Sequence, residues 1–207
     1  MPKASSAHTQ ARKEEIINAC AKLYETMGFQ EITMKEIAAF TSFTRPSIYN
    51  YFQTKEEIFL ALLQQEYEIW TQDLNAIMPC GKENPRLEAA HKIADTLKKR
   101  QVLLSLLSTN LYEMEQNSRM ERLIELKIAY GASIQAVKNS LKRFCPEMSA
   151  QEQEDFVYCF FPLVYGIYPY AAVSDMQKQA MKQANITYPY MSIYEIAFLG
   201  AKKLLGV

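Results

Sequence analysis

The chain has 207 residues, of which 49% are hydrophobic and 22% are charged, a balance typical of a soluble globular protein of one or two domains. The formal net charge is zero, so no overall electrostatic field draws the chain toward DNA, although residues 1–55 carry seven basic and five acidic side chains. The scarcity of glycine and of alternating apolar and polar residues argues against a β-sheet and predicts an all-α fold.

The first predicted helix runs from about Thr9 to Met27. Its apolar residues Ile16, Cys20 and Leu23 recur at spacings of four and three, as they do on one face of a helix. The polar tail before it has no apolar stretch of the kind found in signal peptides. The four cysteines form no CxxC pair, so we expect reduced thiols and a cytoplasmic location, with a disulfide or thiol sensor as the alternative.

Three further helix starts follow within residues 33–57. Thr33 with Glu36, and Thr54 with Glu57, have the spacing of capping boxes, in which both side chains bond to free amides at a helix start. Between them, Pro46 marks the first turn of a second short helix, where an amide would be unpaired in any case. Two helices of about two turns joined by a few residues are the sequence form of a helix-turn-helix.

The second short helix leaves polar side chains free. Ile48 and Phe52 lie four residues apart, so one face is anchored in the core. The other faces carry Arg, Asn, Ser and Tyr, whose side chains read base edges or reach phosphate oxygens. These residues are Arg45, Ser47, Tyr49, Asn50 and Tyr51. A solvated helix that happens to be rich in tyrosine is the alternative interpretation.

A long helix is predicted from Lys55 to about Met78, with a length of about 36 Å. The segment from Pro79 to Pro85 is rich in proline and polar residues and is the candidate boundary. We therefore predict a helix-turn-helix domain at 1–54, a connecting helix at 55–79 and a second helical domain at 80–207. The helices predicted in the second domain are Arg86–Lys99, Val102–Gln116, Met120–Phe144, Ala150–Val173, Asp175–Ala184 and Ser192–Leu205.

The sequence contains no recognisable catalytic constellation. There are two histidines, no HExxH motif, no G-x-S-x-G and no P-loop. We therefore expect no enzymatic activity, no metal and no cofactor. The uncharged stretch 156–174 approaches the length of a membrane span, but it contains Pro162, Gly166 and Pro169 and has no basic flank. A buried helix at a subunit interface explains this stretch better than a membrane does.

Two C-terminal helices are apolar on more than one face, and such a helix needs a second partner. We expect that partner to be the same helix of another copy, packed about a twofold axis to form a homodimer. The second apolar stripe of each helix is the predicted interface. Its residues are Phe161, Val164, Tyr168, Tyr194, Phe198, Ala201 and Leu205.

The segment from Thr33 to Phe59 resembles the DNA-binding domain of TetR-family transcriptional regulators. That family has a Thr-led helix with Ile-Ala, a short turn, a helix ending in Tyr-x-Tyr/His-Phe, and a Lys-Glu start to the next helix. The agreeing residues are Thr33, Ile37, Ala38, Thr44, Ile48, Tyr49, Tyr51, Phe52, Lys55 and Phe59. The turn departs from the family, because Ser42 stands where a glycine is usual. Ser42 then requires a left-handed or otherwise strained conformation, or a locally different turn.

The resemblance implies a homodimeric repressor that binds a near-palindromic double-stranded DNA operator and is released by a small-molecule effector. It places base contacts, backbone contacts and phosphate contacts on residues of the helix-turn-helix. The implied base contacts are Lys35, Arg45 and Ser47, with Pro46 against a thymine methyl; Tyr49, Asn50 and Tyr51 contact base or backbone; and Thr33, Thr44 and Lys55 contact phosphate.

The resemblance also places an effector pocket between helices of the second domain, which makes residues 80–207 the effector-binding and dimerisation domain. The candidate ligand contacts there are Tyr112, Tyr130, Phe160 and Tyr165. An aromatic interior suits a flat or lipophilic effector, and core packing is the alternative for each of the four residues. Two other functions remain open: an activator or co-regulator on the same scaffold, and an adaptor that binds protein instead of DNA.

Overall fold

A computed structural model describes residues 6–81, 83–108 and 111–207. These residues form eleven α-helices and no β-strand, so the all-α prediction is confirmed. In chain order the helices are α1 (Ser6–Tyr24), α2 (Met34–Ala39), α3 (Arg45–Ile48), α4 (Lys55–Ala76), α5 (Pro85–Lys98), α6 (Gln101–Ser108), α7 (Leu111–Gln116), α8 (Met120–Phe144), α9 (Ala150–Ala171), α10 (Asp175–Gln183) and α11 (Ile193–Leu204).

Polar residues explain where several helices begin. The hydroxyls of Ser149, Ser174 and Ser192 each accept a hydrogen bond from the N–H three residues later, and a Glu or Gln side chain there bonds back to the serine N–H. These capping boxes satisfy amides that have no partner inside the helix. Asn84 caps α5 through its side chain, and Pro85 takes the first helical position.

The end of α10 is set by an asparagine in the left-handed region. Asn185 has a φ of 55°. Its N–H donates to the carbonyl of Lys182 at 3.2 Å, and the N–H of Ile186 donates to the carbonyl of Met181 at 3.0 Å. This pair of bonds is the Schellman motif, in which asparagine here takes the place usually held by glycine. The helix therefore stops at a defined residue.

The chain divides into two compact units. The head unit holds the described residues of Met1–Gln65 and Thr109–Ala129, and the body unit holds those of Glu66–Ser108 and Tyr130–Val207. Two of the boundaries between the units fall inside helices, because α4 and α8 each give their first part to the head unit and their second part to the body unit. The predicted division into 1–54, 55–79 and 80–207 stays a prediction.

The core of the head unit takes one face from each of its first four helices. Ile16 and Cys20 of α1, Ile37 of α2, Ile48 of α3 and Phe59 of α4 are fully buried. Burial raises the pKa of the Cys20 thiol to about 12, so this cysteine stays neutral and packs as a small apolar residue. The spacing of four and three along α1 therefore marks its inward face.

Aromatic and aliphatic side chains fill the body unit. Trp70 of α4 is fully buried, and its indole N–H donates to the hydroxyl of Thr96 on α5 at 2.9 Å. Helix α11 packs against α5 and α9, and α6 packs against α9. Gly200 allows α11 to approach α9, since a Cβ at this position would lie 2.1 Å from Cδ2 of Leu163. This glycine therefore serves packing within the chain.

Within the described residues, none of the helices taken singly has both the length and the apolar character of a membrane span. Helices α9 and α10 pass that test by length and composition only as a pair, with a bend of 82° between them. The apolar stretch of α9 instead contributes Phe156, Phe160, Val164 and Ile167 to the buried core of the body unit.

Candidate nucleic-acid interface

The turn between α2 and α3 is built without a left-handed residue. Among the described residues, Asn185 is the non-glycine residue with a positive φ, so Ser42 lies outside the region that favours glycine. The N–H of Ser42 donates to the carboxylate of Glu15 on α1 at 2.5 Å. This hydrogen bond is the main reason that the pKa of Glu15 lies below its usual value. Of the two outcomes expected for Ser42, the structure has the locally different turn.

The residues on either side of Ser42 complete this turn. The hydroxyl of Thr41 donates to the carbonyl of Ala38 at 3.0 Å and accepts from the N–H of Phe43 at 3.3 Å. Phe43 is buried, and the guanidinium carbon of Arg12 lies 4.4 Å from the centre of its ring. A buried aromatic ring and a carboxylate from α1 thus fix the start of α3.

Helix α3 is short and is anchored by its apolar side. Beyond Ile48, the N–H groups of Tyr51 and Phe52 donate to the Ile48 carbonyl at 2.9 and 3.0 Å, which continues the helical winding for another turn. Ile48 and Phe52 are fully buried, as their spacing predicts. The remaining faces of the segment are free to present polar side chains.

The side chains predicted to contact DNA from α3 share its outward face. Tyr49 is 43% exposed, and a guanidinium N–H of Arg45 donates to its hydroxyl at 3.3 Å. The hydroxyls of Thr44 and Ser47 lie 3.0 Å apart. The exposed members are Thr44, Arg45, Pro46, Tyr49 and Asn50, and Ser47 is half-buried. The face therefore offers a guanidinium, an amide and hydroxyls side by side.

Helix α2 adds two exposed residues, Thr33 and Lys35. The Thr33 hydroxyl accepts hydrogen bonds from the N–H groups of Lys35 at 3.2 Å and of Glu36 at 3.5 Å, and it donates to the Glu36 carboxylate. The predicted cap at Thr33 is therefore present, although Glu36 bonds to the hydroxyl instead of closing a full box. The Lys35 side chain is exposed at the first turn.

Two other predicted contacts already have partners within the head unit. The Lys55 ammonium donates to the carbonyl of Phe29 at 2.8 Å and lies 4.4 Å from the centre of its ring. Tyr51 is half-buried, with its ring centre 6.3 Å from that of Phe43. Contact of these two residues with DNA stays a prediction, and both have a visible role in holding the head unit together.

Sequence patterns carry no signal for a set of contacts at the far end of α3. The guanidinium of Arg119 bonds to the carboxylate of Glu57, 62 residues earlier, at 2.6 and 2.8 Å. Arg119 and Arg122 also donate to the carbonyl of Tyr51, at 3.5 and 3.4 Å. The Thr54 hydroxyl donates to the carbonyl of Asn117 at 3.0 Å. No periodicity links residues so distant in the chain.

Three of the four predicted ligand residues lie in the body unit, in and beside one aromatic cluster. The ring centre of Tyr130 is 5.6 Å from that of Tyr67 and 5.4 Å from that of Phe161. The hydroxyls of Tyr67 and Tyr165 lie 3.3 Å apart, and burial, together with Tyr165, raises the pKa of Tyr67. Phe160 is fully buried.

The fourth predicted ligand residue, Tyr112, is not in this cluster. It belongs to the head unit and is 73% exposed. The structure therefore brings Tyr130 and Tyr165 together through Tyr67, whereas Tyr112 belongs to the other unit. Their contact with an effector stays a prediction.

The predicted dimer interface stays a prediction, and four of its seven residues are buried within the chain itself. Phe161, Val164, Ala201 and Leu205 lie in the core of the body unit. The other three, Tyr168, Tyr194 and Phe198, are half-buried, and the rings of Tyr194 and Phe198 stack with His91 of α5. The stripe named from the sequence is thus largely the inward one.

The fold and the α2–α3 geometry define a helix-turn-helix protein of the DNA-binding class. Residues 16–62 match the family described as "Bacterial regulatory proteins, tetR family", and residues 64–193 match "Tetracyclin repressor-like, C-terminal domain". The chain therefore belongs to the TetR family, whose members are DNA-binding transcriptional regulators.

Individual relatives agree with this assignment. The HTH-type transcriptional regulator YfiR of Bacillus subtilis is 32% identical over 63 residues, which are 30% of this chain and 31% of that protein. The chain thus spans about a third of the length of the curated relatives that it matches first.

Two solved structures share the fold over nearly the whole chain. A TetR regulator from Rhodococcus sp. RHA1 is 15% identical with a TM-score of 0.61, covering 95% of this chain and 97% of the other. Thermus thermophilus FadR, a transcriptional repressor in complex with lauroyl-CoA, is 20% identical with a TM-score of 0.53, covering 84% and 91%.

Proposed function

We propose that the protein is a transcriptional repressor that binds a near-palindromic DNA operator as a homodimer and is released by a small lipophilic or aromatic effector. The observation that carries the proposal is the outward face of α3. There Arg45, Tyr49 and Asn50 are exposed on a helix that Ile48 and Phe52 anchor in the core. An Arg side chain matches the acceptors of guanine in the major groove, and an Asn side chain matches adenine.

We further propose that two copies pair through the outward face of α9 and α11. We define this face by its exposed residues, which are Tyr158, Cys159, Pro162 and Tyr170 of α9 and Leu199 of α11. Tyr158 is 84% exposed, which is unusual for a large aromatic side chain, and a twofold contact would cover it. In a helix-turn-helix dimer the two recognition helices lie about 34–36 Å apart, one turn of DNA.

The effector part of the proposal concerns the cluster of Tyr67, Tyr130 and Tyr165. Two observations support it. Tyr67 and Tyr130 lie on α4 and α8, whose first turns belong to the head unit, with Tyr165 on α9. The Thermus relative in fold is a repressor in complex with lauroyl-CoA. An effector acts by preferring one conformation of the protein, and it lowers DNA affinity only by that preference.

Selection of bound duplexes from a random pool tests the DNA-binding part. We expect enrichment of sequences with two related half-sites about 10 base pairs apart. Affinity for random duplex should fall steeply with salt, because phosphate contacts release counterions. A pool that shows no enrichment, or binding that ignores salt, contradicts the proposal and favours an adaptor that binds protein.

Charge substitution on the outward face tests the dimer. Tyr158→Arg should shift the protein toward the monomer in sedimentation velocity, since it places a charge in the centre of the contact. The matched control is Tyr112→Arg in the head unit, because Tyr112 is also a highly exposed tyrosine. Equal sedimentation of the two variants contradicts the proposed face.

Release from DNA by fractionated cell extract tests the effector part. Tyr130→Ala should change how much of the active fraction is needed to release the protein from the selected duplex. Phe144→Ala, also on α8 but buried outside the cluster, is the control for loss of packing alone. If Tyr130→Ala lowers the melting temperature and leaves the release unchanged, Tyr130 is a core residue.

A further inference from the structure

We infer that Arg119 and Arg122, at the start of α8, are positioning residues for the recognition helix α3. This inference rests on the proposed DNA binding, and it adds residues that lie more than sixty positions away from the helix-turn-helix in the chain. The two arginines touch no base. They act by holding the end of α3 at a fixed orientation.

The first support is that the carboxylate bound by Arg119 is buried and that both of its oxygens accept hydrogen bonds. The side chain of Glu57 is 1% exposed, whereas that of Arg119 is 40% exposed. One Glu57 oxygen accepts from Nε of Arg119 at 2.6 Å and from its backbone N–H at 3.2 Å. The other accepts from Nη2 at 2.8 Å and from the N–H of Gln53 at 2.8 Å. A buried carboxylate with four donors fixes its neighbours closely.

Glu57 also connects this pair to the end of the recognition helix. Gln53, whose N–H it holds, follows directly after Phe52, the second apolar anchor of α3. Burial alone would raise the pKa of Glu57, but the hydrogen bonds from Arg119 and from the two backbone N–H groups, with the charge of Arg119, hold that pKa below its usual value. The carboxylate is thus the charged partner that this geometry requires.

The second support is the pair of hydrogen bonds to the backbone carbonyl of Tyr51. Its carbonyl lies in the last turn of the α3 segment, where carbonyls lack partners inside the helix. Arg119 and Arg122 both donate to it, and the guanidinium carbon of Arg122 lies 5.1 Å from the centre of the Phe52 ring. Cationic side chains at a helix C-terminus also interact favourably with its dipole.

These contacts determine the orientation of α3 because the helix is so short. Four residues and one further turn have little hydrogen-bonding of their own, so the two ends decide how the outward face points. The first end is held by Ser42 and Glu15, and the second end by Tyr51, Arg119 and Arg122. Contacts with phosphates tolerate small rotations, whereas bidentate contacts with base edges do not. Loss of the contacts at the second end of α3 should therefore reduce the selectivity for DNA sequence more than the overall affinity for DNA.

The test compares the dissociation constants for two duplexes of equal length: one selected from a random pool, and one of random sequence. Arg119→Met should lower the ratio of the two affinities by about tenfold or more. Arg119→Lys, which keeps the charge but loses the bidentate geometry, should recover part of the ratio. Arg122→Met leaves the pair of Glu57 and Arg119 in place and should lower the ratio by a smaller factor.

The matched control is Arg86→Met in the body unit. Arg86 likewise bonds to one carboxylate and one backbone carbonyl, with Nε 3.0 Å from Glu147 and Nη1 3.1 Å from the carbonyl of Leu205. The Arg86→Met substitution should leave the ratio of the two affinities unchanged, even if it lowers the melting temperature. Since Arg119→Met can also impair folding, Glu57→Gln, which keeps the shape of the side chain, provides a second route to the same measurement.

The outcomes separate this inference from the function on which it rests. A wild-type protein that does not distinguish the two duplexes overturns the proposed function, and the inference with it. A selective wild type whose Arg119, Arg122 and Glu57 variants keep the full ratio overturns the inference alone. A lowered ratio that Arg86→Met does not reproduce supports it.

Discussion

The outward faces of α3 and of α9 show how differently two exposed surfaces can be encoded. On α3 the inward residues are apolar and the outward ones are polar, so Ile48 and Phe52 identify both sides at once. On α9 both faces are apolar: Phe160 and Val164 are buried, while Tyr158 and Tyr170 are exposed. Chemical contrast between the faces of a helix reveals its orientation, and its absence leaves two orientations open.

The largest effect on stability is expected from removing a buried side chain on the inward face of α9. Phe161 is 3% exposed and packs with its ring centre 5.8 Å from that of Trp70. Phe161→Ala should lower the free energy of unfolding by about 3–5 kcal/mol, because it removes a buried ring and leaves a cavity. The measurement is denaturant unfolding at several protein concentrations, which separates folding from self-association.

The control for Phe161→Ala is Tyr158→Ala on the outward face of α9. It should change the concentration-independent part of the stability by no more than about 0.5 kcal/mol. If the two substitutions have the same effect, the assignment of inward and outward stripes is wrong.

The pH dependence of Glu57 provides a second test of the head unit. Its folded pKa is depressed below the usual 4.5, so its contribution to stability is present above that value and is lost as the pH falls through the folded pKa. Relative to Glu57→Gln, the wild type should be more stable at neutral pH by about 1.5–3 kcal/mol. Acid titration of that difference, measured by unfolding of both proteins, should show it shrinking below pH 4.5.

The opposite result is a stability difference between wild type and Glu57→Gln that grows as the pH falls. It would show that burial has a larger effect on the pKa of Glu57 than the hydrogen bonds from Arg119 have.

A smaller effect is expected from the DNA face itself. Arg45→Ala should weaken binding to the selected duplex by about 1–3 kcal/mol and relax the preference at one base pair. Lys142→Ala, which removes an exposed cation from the end of α8, should leave both unchanged. An unchanged footprint of Arg45→Ala in a gel-shift series would refute its role as a base contact.

The smallest effect concerns the turn. Because Ser42 has no positive φ, glycine gains nothing there and adds only freedom to the unfolded chain. Ser42→Gly should lower the free energy of unfolding by about 0.4–1 kcal/mol. Stabilisation by this substitution would indicate that the turn requires the left-handed conformation after all.

The sequence predicted most helices closely, and the reason is local chemistry. The sequence predicts α8 at Met120–Phe144, and the helix lies there; it predicts α4 to about Met78, and α4 ends at Ala76. Capping residues, apolar spacing and proline act over a few positions, so they can be read directly. The Ile48 and Phe52 anchors of α3 follow the same logic.

Features that depend on distant residues could not be read in this way. The turn at Ser42 depends on Glu15, 27 residues earlier, and the end of α3 depends on Arg119 and Arg122. Which stripe of α9 faces a second copy cannot be read either, because both stripes are apolar. A single sequence gives the spacing of residues along a helix but not which neighbour covers each face.

Hydrogen exchange of the protein, with and without a duplex selected from a random pool, is the decisive measurement of which helix reads DNA. If α3 does so, backbone amides over residues 33–38 and 44–52 exchange more slowly when the duplex is bound, with little change on the outward face of α9. Exchange that is unchanged over residues 44–52 while the duplex is bound would contradict the assignment of α3 as the helix that reads DNA.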